Sequence, residues 1–213
     1  IVGYWPETEG SVPWVSVTFM GFVGTVTGMN SEHIAMSEIG DDFRFDQETL
    51  IGKPLEFVMR DALEKSRELE EALAQVRDSK RTSSLLYCLS DAKLPDARAM
   101  ATAPDVFKAW DWTNLPSDLP ALENCVYMSM GMLSKWTPRF YDVLSKGWGR
   151  IDPTYAMEDV MKGLGTGDLH SVAFDVTDLK LWAAYADLQG TDGYLRPFVE
   201  FDYGKALAER KAN

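Results

Sequence analysis

The sequence predicts an α+β domain with sheet and helix in layers, on three observations. Apolar and polar residues alternate in the first forty residues, apolar stripes at helical spacing fill 55–76, and alternation returns over 83–102 and again after 170. Blocks of strand, helix, strand, helix and strand suit layered packing, although this pattern alone does not single out one α+β architecture. With 213 residues, 46% of them hydrophobic, the chain can bury a substantial core. No repeat, low-complexity tract or linker divides it, so residues 1–213 are read as one domain.

In Trp14–Phe19, Val15, Val17 and Phe19 alternate with Ser16 and Thr18, the period of a half-buried strand. From Val17 to Gly40 the chain reads as three short strand-like runs punctuated by Gly21, Gly24 and Gly28, until Gly40-Asp41-Asp42 breaks the pattern. Pro54 opens a helical region, where proline suits the first turn. Leu55, Val58, Met59, Ala62 and Leu63 make one apolar stripe, and Leu69, Ala72, Leu73 and Val76 a second. Ser66 is the expected cap between them, giving two helices within Leu55–Val76. Strands follow at Ser83–Ser90 and Arg98–Thr102, joined through Ser90-Asp91-Ala92-Lys93. Ala103–Leu122, with Pro104, Pro116 and Pro120, reads as a long surface excursion. Prolines open helices at Pro138–Ser145 and Pro153–Gly163, and strands close the chain at Ser171–Asp175, Leu179–Ala184 and Phe198–Phe201. The strands are expected in two stacked sheets, with the first helix pair on an outer face.

Charge narrows the function classes. The chain has 33 acidic and 21 basic residues, a net charge of −12 that repels phosphate backbones and anionic membranes. No segment is long and apolar enough to span a bilayer. The expectation is therefore no nucleic-acid and no membrane partner, and nothing in the sequence assigns a compartment. Cys88 and Cys125 are too few for a disulfide framework and lack metal-ligand spacing, and two distant histidines, His33 and His170, make no metal site. Cys88 lies in an apolar strand-like run and reads as a buried, inert thiol.

Four motifs in order carry a family resemblance. They are Gly21–Asn30; Gly52–Leu55 with Met59–Glu64; Glu71–Leu73 leading to Arg81–Ser83; and Leu169–Asp175 with Leu181–Ala186. Together they resemble the penicillin acyltransferase-like branch of the N-terminal-nucleophile (Ntn) hydrolases. The resemblance implies a four-layer αββα sandwich, incomplete here at its N-terminus, and chemistry on an acyl amide or acyl thioester. It also implies self-cleavage that exposes a terminal cysteine. Such a cysteine must be terminal because the adjacent α-amine, with an unperturbed pKa of about 8, serves as its base. Ile1 has the amine without the thiol. The resemblance therefore places the catalytic nucleophile upstream of Ile1, gives no catalytic residue to this chain, and predicts that residues 1–213 alone are inactive. No cofactor is implied; an acyl-coenzyme A would be a substrate.

Three residues are candidates for a substrate pocket. Asn30 ends the glycine block and either donates its amide to an oxyanion or takes a left-handed turn. Asn124 precedes a run whose Tyr127, Met128, Met130, Met132 and Trp136 line an acyl pocket or simply fill core. His170 opens a strand and either orients substrate or bonds to backbone. The resemblance also implies that a bile-salt-hydrolase oxyanion donor would fall near Ser37–Gly40, which has no asparagine. His33 stands where the family has a glycine, so an altered turn is expected there. Two functions follow: an amidohydrolase or acyltransferase, or a non-catalytic binding or structural subunit that keeps the fold. The partner expected is the upstream segment of its own precursor or a second copy, because the Val15–Phe19 strand would otherwise lie at an open sheet edge.

Overall fold

A computed structural model describes residues 1–40, 48–117, 119–128 and 137–212. The chain forms two compact units, Ile1–Ser134 and Lys135–Asn213.

The first unit is built on a seven-stranded antiparallel sheet: β1 (Val2–Tyr4), β2 (Trp14–Val17), β3 (Thr27–Asn30), β4 (Ile34–Gly40), β5 (Leu85–Asp91), β6 (Asp96–Ala103) and β7 (Val106–Trp110). Each strand lies beside its neighbours in sequence, so the spatial order is β1 through β7. Two helices, α1 (Leu55–Lys65) and α2 (Leu69–Arg77), are inserted between β4 and β5. Their stripes bury as the sequence predicts: Val58, Met59, Ala62 and Leu63 from α1, and Leu69, Ala72, Leu73 and Val76 from α2. They pack on Trp14, Ile34, Met36, Leu85, Tyr87, Leu89 and Met100 of one sheet face. The other face is buried too, through Val15, Val17, Met29, Ala35, Leu86, Ala99 and Ala101.

Several local expectations are corrected. β2 is an interior strand, paired on both sides and wholly buried, so the edges of the sheet fall on the three-residue β1 and on β7 instead. Between Val17 and Gly40 there are two strands after β2 ends, because residues 18–26 form an irregular connection with left-handed turns at Gly21 (φ 79°) and Gly24 (φ 118°). Ser66 caps neither helix with its side chain; Glu68 is the α2 N-cap residue and Ser66 ends α1 in extended conformation. β5 runs on to Asp91, which moves the hairpin turn to residues 92–95. The supposed excursion after Ala103 contains β7, paired with β6 across a tight turn at Pro104-Asp105. Asp41 and Asp42 lie outside the described residues.

The second unit holds α3 (Thr137–Gly147), a single turn α4 (Pro153–Tyr155) that runs into a π-helical stretch Ala156–Lys162, and a three-stranded antiparallel sheet. Its strands are β8 (His170–Asp175), β9 (Lys180–Tyr185) and β10 (Val199–Asp202), in the order β10-β9-β8, and α5 (Tyr203–Ala212) follows. Asp152 caps α4, accepting from the Tyr155 amide at 2.7 Å with Pro153 in the first turn. The sheets are antiparallel throughout, and the three alternating runs divide between them: Trp14–Val17 and Leu85–Asp91 in the first, His170–Asp175 in the second.

Candidate functional site

Asn30 ends β3 and is fully buried. Its Nδ2 donates to the Leu63 and Ser66 carbonyls, both at 2.8 Å, satisfying carbonyls at the α1 C-terminus. Its Oδ1 accepts from the Glu32 and Ile34 amides, both at 3.0 Å. Both amide hydrogens are thus committed, and an oxyanion would have to displace helix carbonyls to reach them. The left-handed position in this turn falls at His33 (φ 59°), so the backbone keeps a conformation that favours glycine with a histidine in place.

Around Asn30 the α1–α2 junction is tied to two hairpin turns. Asp91, buried at 1% exposure, accepts from the Leu69 amide at 3.2 Å and the Lys93 amide at 2.8 Å. A carboxylate is thereby set against the α2 N-terminus, where the helix dipole favours negative charge. The Lys93 ammonium donates to the Glu32 and Arg67 carbonyls, and Arg67 pairs with Glu32 at 2.9 Å. At the opposite end of α2, Arg81 is buried and donates to the carbonyls of Val76, Arg77, Ser79, Ala103 and Val106. Desolvation works against its charge, while Tyr87, Asp105 and Asp78 support it.

Asn124 is exposed in a turn with φ 56°, followed by the Cys125 amide donating to the Leu122 carbonyl at 3.0 Å. Tyr127 is buried with its hydroxyl on the Pro120 carbonyl at 2.6 Å, and Met128 is half-buried. Met130, Met132 and Trp136 lie outside the described residues. His170, in the second unit, is half-buried at the start of β8 and stacks on Tyr185 with ring centroids 5.9 Å apart. Burial lowers its pKa below the usual value, opposed by Asp168. No hydrogen bond joins Asn30 to Asn124, and among the described residues no group of His, Cys, Asp and Glu forms a metal site.

One further feature, the proton affinity of Glu38, escapes a reading of the sequence. Glu38 on β4 faces Tyr87 on β5, and burial alone raises the Glu38 pKa. Burial also raises Tyr87, the Glu38 charge adding to it and Thr102 opposing it through a hydrogen bond. The strand alternation of β4 is the signal that could have placed Glu38 on the helix-facing side. Cys88, on the opposite sheet face, has its pKa pushed up to about 11 by burial, with Cys125 contributing; burial raises Cys125 as well. At that value about one Cys88 in ten thousand is thiolate at neutral pH. Cys88 is thus the unreactive thiol the sequence predicts.

This fold is shared with solved enzymes. A variant of the conjugated bile acid hydrolase from Clostridium perfringens matches 91% of this chain and 78% of its own at a TM-score of 0.61 and 9% identity. Penicillin V acylase from Agrobacterium tumefaciens matches 86% of this chain and 67% of its own at 0.53 and 14%. The chain has the α+β fold of the Ntn hydrolases. No family model matches it. Among curated proteins it is similar to Protein dcd1A of Dictyostelium discoideum, 23% identical over 224 residues, and to Protein dcd1B of the same organism, 20% identical over 229. These matches take in 93% and 99% of this chain but 50% and 45% of the relatives, so the chain spans about half the length of the curated proteins it matches.

Proposed function

We propose that residues 1–213 form the body of an amidohydrolase or acyltransferase of the penicillin acyltransferase-like Ntn branch. In this reading the nucleophile is a terminal cysteine on a segment preceding Ile1, exposed by self-cleavage. It attacks an amide or thioester carbonyl, the amine or thiol leaves, and the acyl-enzyme passes its acyl group to water or an amine. The observation that carries the reading is the fold match over 91% of the chain to a hydrolase of conjugated bile acids, joined by the match to an acylase. The suppressed thiols of Cys88 and Cys125 agree with a nucleophile outside these residues. Asn124 and His170 stay separate candidates for substrate contact, each within its own unit, while Asn30 serves the fold. The same suppression favours the second reading, a non-catalytic subunit that keeps the fold.

The test compares the full-length gene product with residues 1–213 alone on N-acyl amines and acyl thioesters. Full-length protein is expected to cleave itself before a cysteine and turn over, and that cysteine changed to alanine to abolish both. The 213-residue chain is expected to be inactive with or without Cys88→Ser. Inactivity of correctly folded full-length protein on the whole panel would favour the subunit, and turnover lost in Cys88→Ser or Cys125→Ser would refute the upstream nucleophile.

A further inference from the structure

β1 runs antiparallel to β2 with Val2 opposite Ser16, so Ile1 comes level with Val17, where β2 ends. Val17 in turn lies opposite Thr27, where β3 begins. Ile1 and the 18–26 connection therefore share one end of the seven-stranded sheet. At that end Ile1, Val2, Phe19, Met20 and Val23 are each more than a third exposed, Met20 fully so. No charge accompanies them: residues 10–31 hold no Asp, Glu, Lys or Arg, in a chain that is 25% charged. Single apolar side chains on a surface are ordinary, whereas several at one end of a sheet mark a face that something covers.

The connection is held so that it cannot turn these side chains inward. The Thr25 amide donates to the Glu56 carbonyl at 3.3 Å, in the first turn of α1. The Ser16 hydroxyl donates to Thr25 Oγ1 at 2.8 Å, and the Thr25 hydroxyl donates to the Thr27 carbonyl at 2.8 Å. At Gly24 a Cβ would come within 2.8 Å of the Glu56 carbonyl oxygen, so the backbone lies directly on the helix. The tip is a turn closed by the Phe22 amide on the Phe19 carbonyl at 3.1 Å, with Gly21 left-handed and Met20 at the apex.

Chain direction selects the occupant. A segment joined to Ile1 has to arrive at this end of the sheet, beside Met20 and Val23. The relatives carry chain beyond what this one matches: 78% of the bile acid hydrolase is covered, and 50% of Protein dcd1A.

We propose that the segment preceding Ile1 docks on the 18–26 connection, laying apolar side chains over Met20 and Val23 next to Ile1 and Val2. The inference rests on the acyl-transfer reading for the existence of that segment, and adds where it is held. The 18–26 connection is then what positions the segment bearing the nucleophile.

The test treats the full-length protein with dilute hydrogen peroxide and follows Met20 sulfoxide by peptide mass, with free methionine as internal standard. Met20 is expected to oxidise at least tenfold more slowly than the standard. Val23→Glu, a change at an exposed side chain of this chain, should bring Met20 to within about threefold of the standard while circular dichroism stays native. A photo-crosslinking residue in place of Met20 should capture residues preceding Ile1. Oxidation of wild-type Met20 as fast as free methionine, protection unchanged in Val23→Glu, or capture of a second copy or of any other segment would each overturn the proposal. Turnover read on the same samples separates the two readings. Active protein with Met20 open defeats the docking alone, and inactive protein with Met20 covered by the preceding segment defeats the chemistry alone.

Discussion

The two ends of α2 are held by buried charges of opposite sign, and the manner of holding differs. At the N-terminus Asp91 accepts two amides, one from the helix and one from its own hairpin. At the C-terminus Arg81 donates to five carbonyls drawn from the helix end, the connection after it, and the β6–β7 hairpin. Each charge suits the helix dipole beside it. The difference lies in how many groups lose a partner if the side chain is removed. A planar guanidinium with five N–H donors can bind one helix end to a distant hairpin in a single residue. The N-terminal end needs a set: Asp91, Lys93 and Arg67 hold it, and Asn30 ties down the α1 end beside it.

The comparison can be broken most severely at Arg81. Arg81→Met should cost about 4 kcal/mol, since several buried carbonyls are left unpaired at once, read as a drop in the urea midpoint without loss of the folded baseline. Arg81→Lys should recover little, because an ammonium has three donors and a different geometry. Asn30→Ala should cost about 3 kcal/mol, leaving two carbonyls and two amides without their partner. If Asn30→Ala proved as mild as a surface change, the α1–α2 junction would not depend on it. Asp91→Asn should cost about 1.5 kcal/mol: the neutral amide keeps one acceptor and gives up the favourable charge at the helix end. A loss at Asp91 exceeding that at Arg81 would reverse the ranking of the two ends.

The smallest effect expected is one of sign and pH. Burial raises the Glu38 pKa above 4.5, so the folded state prefers the protonated carboxyl. Its contribution is fully present below the unfolded value and is lost as pH rises through the folded one. Glu38→Gln should therefore be more stable than wild type at pH 7, and the two should converge on acidification below about pH 4. Paired denaturation curves across that range check it.

The helix pair was legible because its evidence is local. Of the nine apolar residues at helical spacing, eight bury in α1 and α2 and the ninth, Leu55, is partly buried against the same core. Their capping was not legible. Ser66 has the right chemistry in the right place, yet the α2 N-terminus is satisfied by Asp91, 22 residues away from the amide it accepts. Asn30 was singled out from sequence, but what it does depends on carbonyls 33 and 36 residues further on. β7 was hidden by the prolines around it and by a half-buried face that gives weak alternation. The turn at His33 shows the limit of reading conformation from residue type, for the left-handed backbone is kept without glycine. For the candidate site, the inert character of Cys88 could be read from its apolar run, whereas the proton affinity of Glu38 rests on packing that no single strand displays.

The next-neighbour order of the seven-stranded sheet has a consequence for how the chain is made. Every strand from β2 to β7 pairs with the one synthesised just before it, so no strand has to wait for a distant partner. Loop closure is cheap for such pairings, and only the β4–β5 step spans a longer insertion, itself a pair of helices that form locally. A ribosome would release this sheet strand by strand, each new edge being covered by the next segment to emerge. The exposed edge that invites aggregation would therefore move along the sheet during synthesis and reach its final place at β7 only when residue 110 has left the tunnel.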